Sequence, residues 1–226
     1  MELARLRVAL DGPSGAGKST IARAVAAKTG LIYVDTGALY RTVGLFAYEC
    51  GVSVEDTEGI VALLDKLDVR LTYRDGVQCV LLNGEPVGER IRTENASVYA
   101  SAVSKIPEVR AYLLDMQRRL AREGGVIMDG RDIGTVIMPE AEVKIFMTAS
   151  AEVRARRRYD EQRRRGIDVS YDEVLSAIVA RDKQDSERET APLRPADDAV
   201  IFDNGDYDAE ECAEYIIGRM KRYLEG

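Results

Sequence analysis

Gly12-Pro13-Ser14-Gly15-Ala16-Gly17-Lys18-Ser19, continued by Thr20, matches G-x-x-x-x-G-K-[ST] at every fixed position and follows the apolar run Leu6 to Leu10. The run reads as a strand and Ile21 to Lys28 as a helix, so the glycine-rich stretch joins strand to helix. Glycines at 12, 15 and 17 let the backbone turn tightly and aim successive N–H groups at phosphate oxygens, and the following helix adds its positive dipole end. In that setting Lys18 reaches the β- and γ-phosphates and the Ser19 hydroxyl holds Mg²⁺. A plain glycine-rich turn leaves the flanking strand and helix patterns unexplained.

With 226 residues, 46% of them hydrophobic, the chain suits one substantial α/β core with a small inserted module. A net charge of −7 argues against a general binder of nucleic acid or anionic membrane, which needs a net basic face. The absence of histidine removes imidazole bases and His-ligated metals. Cys50, Cys79 and Cys212 are far apart and odd in number, which suits buried or inert thiols in a reducing cytoplasm better than a disulfide framework. The first strand begins within about six residues, leaving no space for a signal peptide, and no apolar run of about 18 residues is long enough to span a bilayer.

Further apolar runs at Leu31–Val34, Val126–Met128, Val143–Met147 and Ala199–Phe202, mostly separated by helical patterns, predict a parallel sheet covered on both faces. Asp11, Asp35, Asp129 and Asp203 stand at the ends of four of the five runs, at the edge where doubly wound sheets bind ligands. Between Val69 and Val87 the pattern changes to short strands separated by Asp75-Gly76 and Asn83-Gly84, pairs that favour type I′ turns. A three-stranded antiparallel meander is predicted, either as an insertion beside the acceptor site or as an edge extension of the main sheet. A helix is predicted from Pro107 to about Glu123, and a highly charged one from Ser150 to about Arg165.

Several clusters carry chemistry. Arg41, in Asp35-Thr36-Gly37-Ala38-Leu39-Tyr40-Arg41, suits a clamp on a second phosphate, with Thr36 and the Gly37 backbone as further donors. Taken alone, Arg41 reads more readily as a solvated helix residue than as a phosphate clamp. The strand ending in Met128 delivers Asp129-Gly130-Arg131-Asp132 to one loop. Asp129 is placed to position Mg²⁺ through water, Arg131 to meet phosphate and Asp132 to accept from an exocyclic amino group, the alternative being a charged turn closed by its own ion pairs. Seven arginines between Arg154 and Arg165 give that helix a local charge of +5, which suits a lid closing on polyphosphate as well as a charged surface. Arg181, Asp185 and Arg188 share one face of a 3.6-residue helix, as a sugar-binding face or an intrahelical ion-pair ladder.

Taken in order, these motifs, with Ser101, Val109-Arg110, Asp129-Gly-Arg-Asp-Ile-Gly-Thr135 and Ala191-Pro192-Leu193, resemble the bacterial-type cytidylate kinases, ATP-dependent nucleoside monophosphate kinases, over nearly the whole length. The resemblance implies a single P-loop kinase domain of three layers. Its core takes in residues 1–35, 102–150 and 167–226; its acceptor-binding region is 36–101, with the β insertion at about 69–88; and its arginine-rich helical lid is 151–166. It also implies that Ser101, Arg110, Asp132 and Arg188 contact cytosine, that Arg181 and Asp185 hold the ribose, and that Arg41 and Arg131 take the acceptor phosphate. Thr36 and Leu39 stand where Ser and Met are common in that family, mild departures that touch no catalytic role.

The activity expected is transfer of a phosphoryl group from Mg·ATP to CMP and dCMP by a cytoplasmic monomer, with Lys18, Arg131, Arg154, Arg157 and Arg158 neutralising charge. The acceptor oxygen is already anionic, so no dedicated base is needed. A kinase of another acceptor, such as AMP or dTMP, fits the insertion and the Ser101/Arg110/Asp132 set less well. A GTPase switch lacks N-K-x-D, and its only D-x-x-G, Asp56 to Gly59, has no strand before it. An RNA binder lacks aromatics interleaved with the basic run.

Overall fold

A computed structural model describes residues 2–74 and 77–226; the predicted Asp75-Gly76 turn lies outside the described residues. Among them, strands β1 (Arg7–Asp11), β2 (Ile32–Asp35), β6 (Val126–Gly130), β7 (Val143–Thr148) and β8 (Val200–Asp203) form a five-stranded sheet in the order β2-β6-β1-β7-β8. Strands β3 (Val69–Arg74), β4 (Val77–Leu82) and β5 (Glu85–Pro86) form a separate three-stranded antiparallel sheet, which decides against an edge extension of the main one. The helices are α1 (Lys18–Thr29), α2 (Thr36–Glu49), α3 (Thr57–Ala62), α4 (Glu94–Val103), α5 (Pro107–Glu123), α6 (Ala151–Arg164), α7 (Tyr171–Glu187) and α8 (Ala209–Glu225). The architecture is a three-layer α/β fold. Among the described residues no helix is long and apolar enough to cross a membrane.

The described residues form two compact units: residues up to Ile32 together with Gly124–Gly226, and Tyr33–Glu123. In the first, β1 lies between β6 and β7, paired parallel to each, with Leu10 level with Asp129 and with Ile145. Buried on both faces, β1 reads as a continuous apolar run, and Leu6, Val8 and Leu10 are wholly inaccessible. The same parallel register places the carboxyl ends of β1 and β6, with Asp11 and Gly130 level, at one edge of the sheet.

The second unit has its own core, in which Leu39 and Val43 of α2 join Val69, Val80 and Leu82 of the small sheet, Val103 of α4 and Val109 and Leu113 of α5. No loop follows β2: the Asp35 side chain accepts from Ala38 N at 2.9 Å and so caps a helix that begins at once with Thr36. A side-chain amide from the small sheet fixes the same corner. Gln78 accepts from Asp35 N at 2.7 Å and donates to Asp35 O at 3.2 Å.

Helices α2 and α4 cross where α2 has no side chain. A Cβ built on Gly44 would lie 2.8 Å from Ala100 N and 2.8 Å from Tyr99 Cβ, one of them backbone that cannot turn aside. Gly44→Ala is expected to force the helices apart and lower the unfolding free energy by roughly 1–3 kcal/mol, as measured by urea denaturation. An unchanged midpoint would show that the crossing has slack the structure does not display.

Candidate active site

The phosphate-cradle sequence occupies the turn between β1 and α1, and it is held through its carbonyl groups. Lys18 Nζ donates to Gly12 O and Pro13 O, both at 2.7 Å, Arg154 Nη1 to Ser14 O at 3.0 Å, and Asn204 Nδ2 to Ala16 O at 2.9 Å. Gly12 has φ +148°, and a Cβ there would sit 1.9 Å from Met147 O, so only glycine fits. Helix α1 starts from Gly17, which has no side chain to cap it, and its first N–H groups face the loop.

Lys18 is 6% exposed. Burial pulls its ammonium down to about 7, Arg131 adds to the pull, and Asp129, Asp11 and Asp185 oppose it. The ammonium is therefore kept at a cost that an anion beside it would relieve. Ser19 Oγ donates to Asp129 Oδ2 at 2.7 Å, which brings together the two residues assigned to Mg²⁺ from sequence. Mg²⁺ takes one or two protein oxygens and completes its octahedron with water and phosphate, so this hydroxyl–carboxylate pair fits it. Among the described residues no cluster of three or more acidic or thiol ligands stands together, so there is no all-protein cage for a cation.

Beyond β6, Arg131, Asp185 and Arg181 form one cluster. Arg131 Nε donates to Asp185 Oδ2 at 2.8 Å and Arg181 Nε to Asp185 Oδ1 at 3.2 Å, while Asp185 is 1% exposed. Burial pushes the Asp185 carboxyl up, but the two guanidinium groups outweigh it and hold the carboxyl below its usual range. The Arg181–Asp185 pair is the intrahelical ladder foreseen from spacing; Arg131 joins it from a strand end. Asp132 is 4% exposed and faces Arg188 Nη2 at 3.7 Å. Arg188 is not on the helix face that its spacing suggested. Helix α7 ends at Glu187, Arg188 turns to extended backbone, and Leu193 N takes the Asp185 carbonyl that a further helical turn would have used.

In the second unit, Thr36 and Gly37 form the first turn of α2, where N–H groups lack intrahelical acceptors, and Arg41 Nη2 pairs with Asp35 Oδ2 at 2.8 Å. Arg110 is 8% exposed, donates to Ser104 O at 3.2 Å and lies over the Tyr40 ring at 5.5 Å. Ser101 stands one turn earlier, near the end of α4, its carbonyl accepting from Ser104 Oγ.

Helix α6 divides its arginines. Arg154 is buried, bonding Asp182 through Nη1 at 3.1 Å and Nη2 at 2.6 Å, and Arg157 Nη2 donates to Asn204 O at 2.8 Å. Arg158 stays exposed beside Glu161. Sequence reasoning missed Asp182, Asn204 and Gln78, and it noted Asp11 only as a strand end. Spacing gives no signal for partners this distant in the chain, although a carboxylate closing an otherwise apolar strand marks Asp11 for attention.

A family model described as cytidylate kinase matches residues 8–222. The cytidylate kinase of Carboxydothermus hydrogenoformans is 50% identical over 97% of this chain and 100% of its own, and that of Caldicellulosiruptor bescii is 48% identical over 94% of each. A gluconokinase structure from Sinorhizobium meliloti, 14% identical, covers 100% of this chain and 96% of its own with a TM-score of 0.50, a likeness of fold alone. The phosphate cradle, the hydroxyl–carboxylate pair beside it and the matches over nearly the whole length agree, and the chain belongs to the cytidylate kinase family.

Proposed function

We propose that the protein transfers the γ-phosphoryl group of ATP directly to the phosphate of CMP, and of dCMP, giving ADP and CDP or dCDP. The observation that carries this reading is the juxtaposition, inside one unit, of a polyphosphate cradle with Ser19 and Asp129 and of a buried Arg131–Asp185–Arg181 cluster. The first suits a donor nucleotide, the second an acceptor's phosphate and sugar. ATP occupies the cradle through residues Gly12 to Thr20, with Lys18 at the β- and γ-phosphates. Ser19, and Asp129 through water, would hold Mg²⁺, which would supply charge neutralisation on the phosphates.

On the acceptor side, Arg41 and Arg131 take the phosphate, with Thr36 and the Gly37 backbone beside them. Asp185 and Arg181 take the ribose hydroxyls. Ser101, Arg110, Asp132 and Arg188 read the base. Cytosine offers an amino donor where uracil has a carbonyl, so Asp132 accepts from the first and repels the second, a discrimination worth about 1–3 kcal/mol. The acceptor oxygen is anionic at neutral pH, so a chain without histidine needs no base, and alignment with charge neutralisation lowers the barrier. Arg154 and Arg157 act from fixed positions, whereas Arg158 is the lid arginine with freedom to turn toward a phosphate.

In this reading residues 151–166 form the lid, 36–101 the acceptor region, and 1–35, 102–150 and 167–226 the core, and the enzyme is a cytoplasmic monomer. ADP release from Mg·ATP, measured with CMP, dCMP, UMP and AMP supplied separately, is expected with both cytidylates; failure on both refutes the proposal. Lys18→Ala should lower kcat on the order of 100-fold or more while CMP affinity, by calorimetry, stays within about twofold. Asp132→Ala should lower kcat/KM for CMP roughly tenfold more than for UMP, and equal losses on the two would mean that Asp132 does not read the amino group.

A further inference from the structure

After Asp132 the chain makes a single π-helical turn, Ile133–Ile137, of a kind concentrated at functional sites. Asp132 stands in the N-cap position of that turn. An aspartate there ordinarily folds back and accepts the first N–H groups of its own helix, but the Asp132 side chain makes no such bond. The two N–H groups are taken instead by a carboxylate from another strand: Ile133 N donates to Asp11 Oδ1 and Gly134 N to Asp11 Oδ2, each at 2.8 Å.

Asp11 is 4% exposed, and among the described residues no lysine or arginine forms an ion pair with it. A buried carboxylate with no bonded cation, Lys18 acting on it only through space, is costly to keep at a strand end. Its burial, with Asp132 nearby, pushes the Asp11 carboxyl up to about 6 against the pull of the two N–H groups and of the Lys18 charge, so it is ionised at neutral pH at some cost. The fit is also close on the other side, since a Cβ on Gly134 would lie 3.4 Å from Asp11 Oδ2.

We infer that Asp11 is a positioning residue for base recognition: by capping the Ile133–Ile137 turn from β1, it relieves Asp132 of capping and leaves the Asp132 carboxylate directed toward Arg188 and the acceptor base. The inference rests on Asp132 reading the base as proposed above. Because β1 runs straight into Gly12, the same residue also locks the acceptor-reading turn to the strand that delivers the phosphate cradle. An asparagine at position 11 offers one acceptor and one donor where two acceptors are needed. One N–H of the turn is then left for Asp132 to cap, and its carboxylate turns away from the base.

Asp11→Asn is therefore expected to reproduce the signature of Asp132→Ala without touching substrate. The ratio of kcat/KM for CMP over UMP should fall roughly tenfold at pH 7.5, KM for ATP should stay within about twofold, and the double variant should discriminate no worse than Asp132→Ala alone. A retained CMP preference, equal losses on both acceptors, or additive losses in the double variant would overturn the assignment. If Asp132→Ala alone leaves the preference intact, the reading of Asp132 fails and takes this inference with it, while ADP release with CMP still reports on the kinase itself. A wild-type measurement needs no stable variant. In hydrogen exchange followed by NMR, the Ile133 and Gly134 amides should be protected like those of β6, and exchange as fast as in exposed turns would refute the cap.

Discussion

Gly12 passes the carbonyl oxygen of Met147 at a separation that admits no side-chain carbon, and from that contact the geometry of the phosphate loop follows. Backbone meets backbone between β1 and β7, so the loop cannot relax on that side. Its carbonyls at residues 12, 13, 14 and 16 are then taken by Lys18, Arg154 and Asn204. A peptide whose C=O is held on one side presents its N–H on the other, and gripping the loop by its acceptors leaves its donors to an anion. Three of the four bonds come from cationic donors, which are about twice as strong as neutral ones, so the cradle is set before any phosphate arrives.

The same economy governs the buried charges. Arg131 and Arg181 share Asp185, Arg154 holds Asp182 and Arg41 holds Asp35, so each of these cations has a carboxylate partner within the chain. An unpartnered guanidinium in these partly enclosed places would lose hydration with nothing in return. Lys18 differs, because it is held by neutral carbonyls and its charge is depressed by burial. An anion placed beside it would relieve that depression, which is what the proposed role of Lys18 at the phosphates requires.

Legibility in the sequence followed distance along the chain. The cradle, the strand-ending aspartates and the antiparallel insertion were readable because each is a local pattern of turn residues or period. The pairing of β1 with β6 then brings Ser19 and Asp129 together. The residues that hold this frame were not readable, because Asp11, Asp182 and Asn204 act on partners 122, 28 and 188 positions away. Helical spacing misplaced Arg188 for a related reason. Periodicity assumes that the helix continues, whereas a backbone N–H from Leu193 competes for the Asp185 carbonyl and ends it.

The arginine run of α6 shows why a summed charge is a poor guide to chemistry. Its +5 is not one field but a gradient set by depth. Arg154 and Arg157 lie on the inner face, bonded to Asp182 and to the Asn204 turn, and so belong to the frame that grips the phosphate loop. Arg156 covers the Tyr171 ring at 4.6 Å, where the aromatic face takes up its charge. Arg158, Arg163 and Arg165 are exposed and answered by Glu161 and Asp168, pairs that contribute little in water and exchange partners readily. If α6 is the lid proposed above, rigid inner arginines and loosely held outer ones on a single helix would meet two opposed demands of phosphoryl transfer: the donor loop must not move, and the charge that closes over the phosphates must be able to.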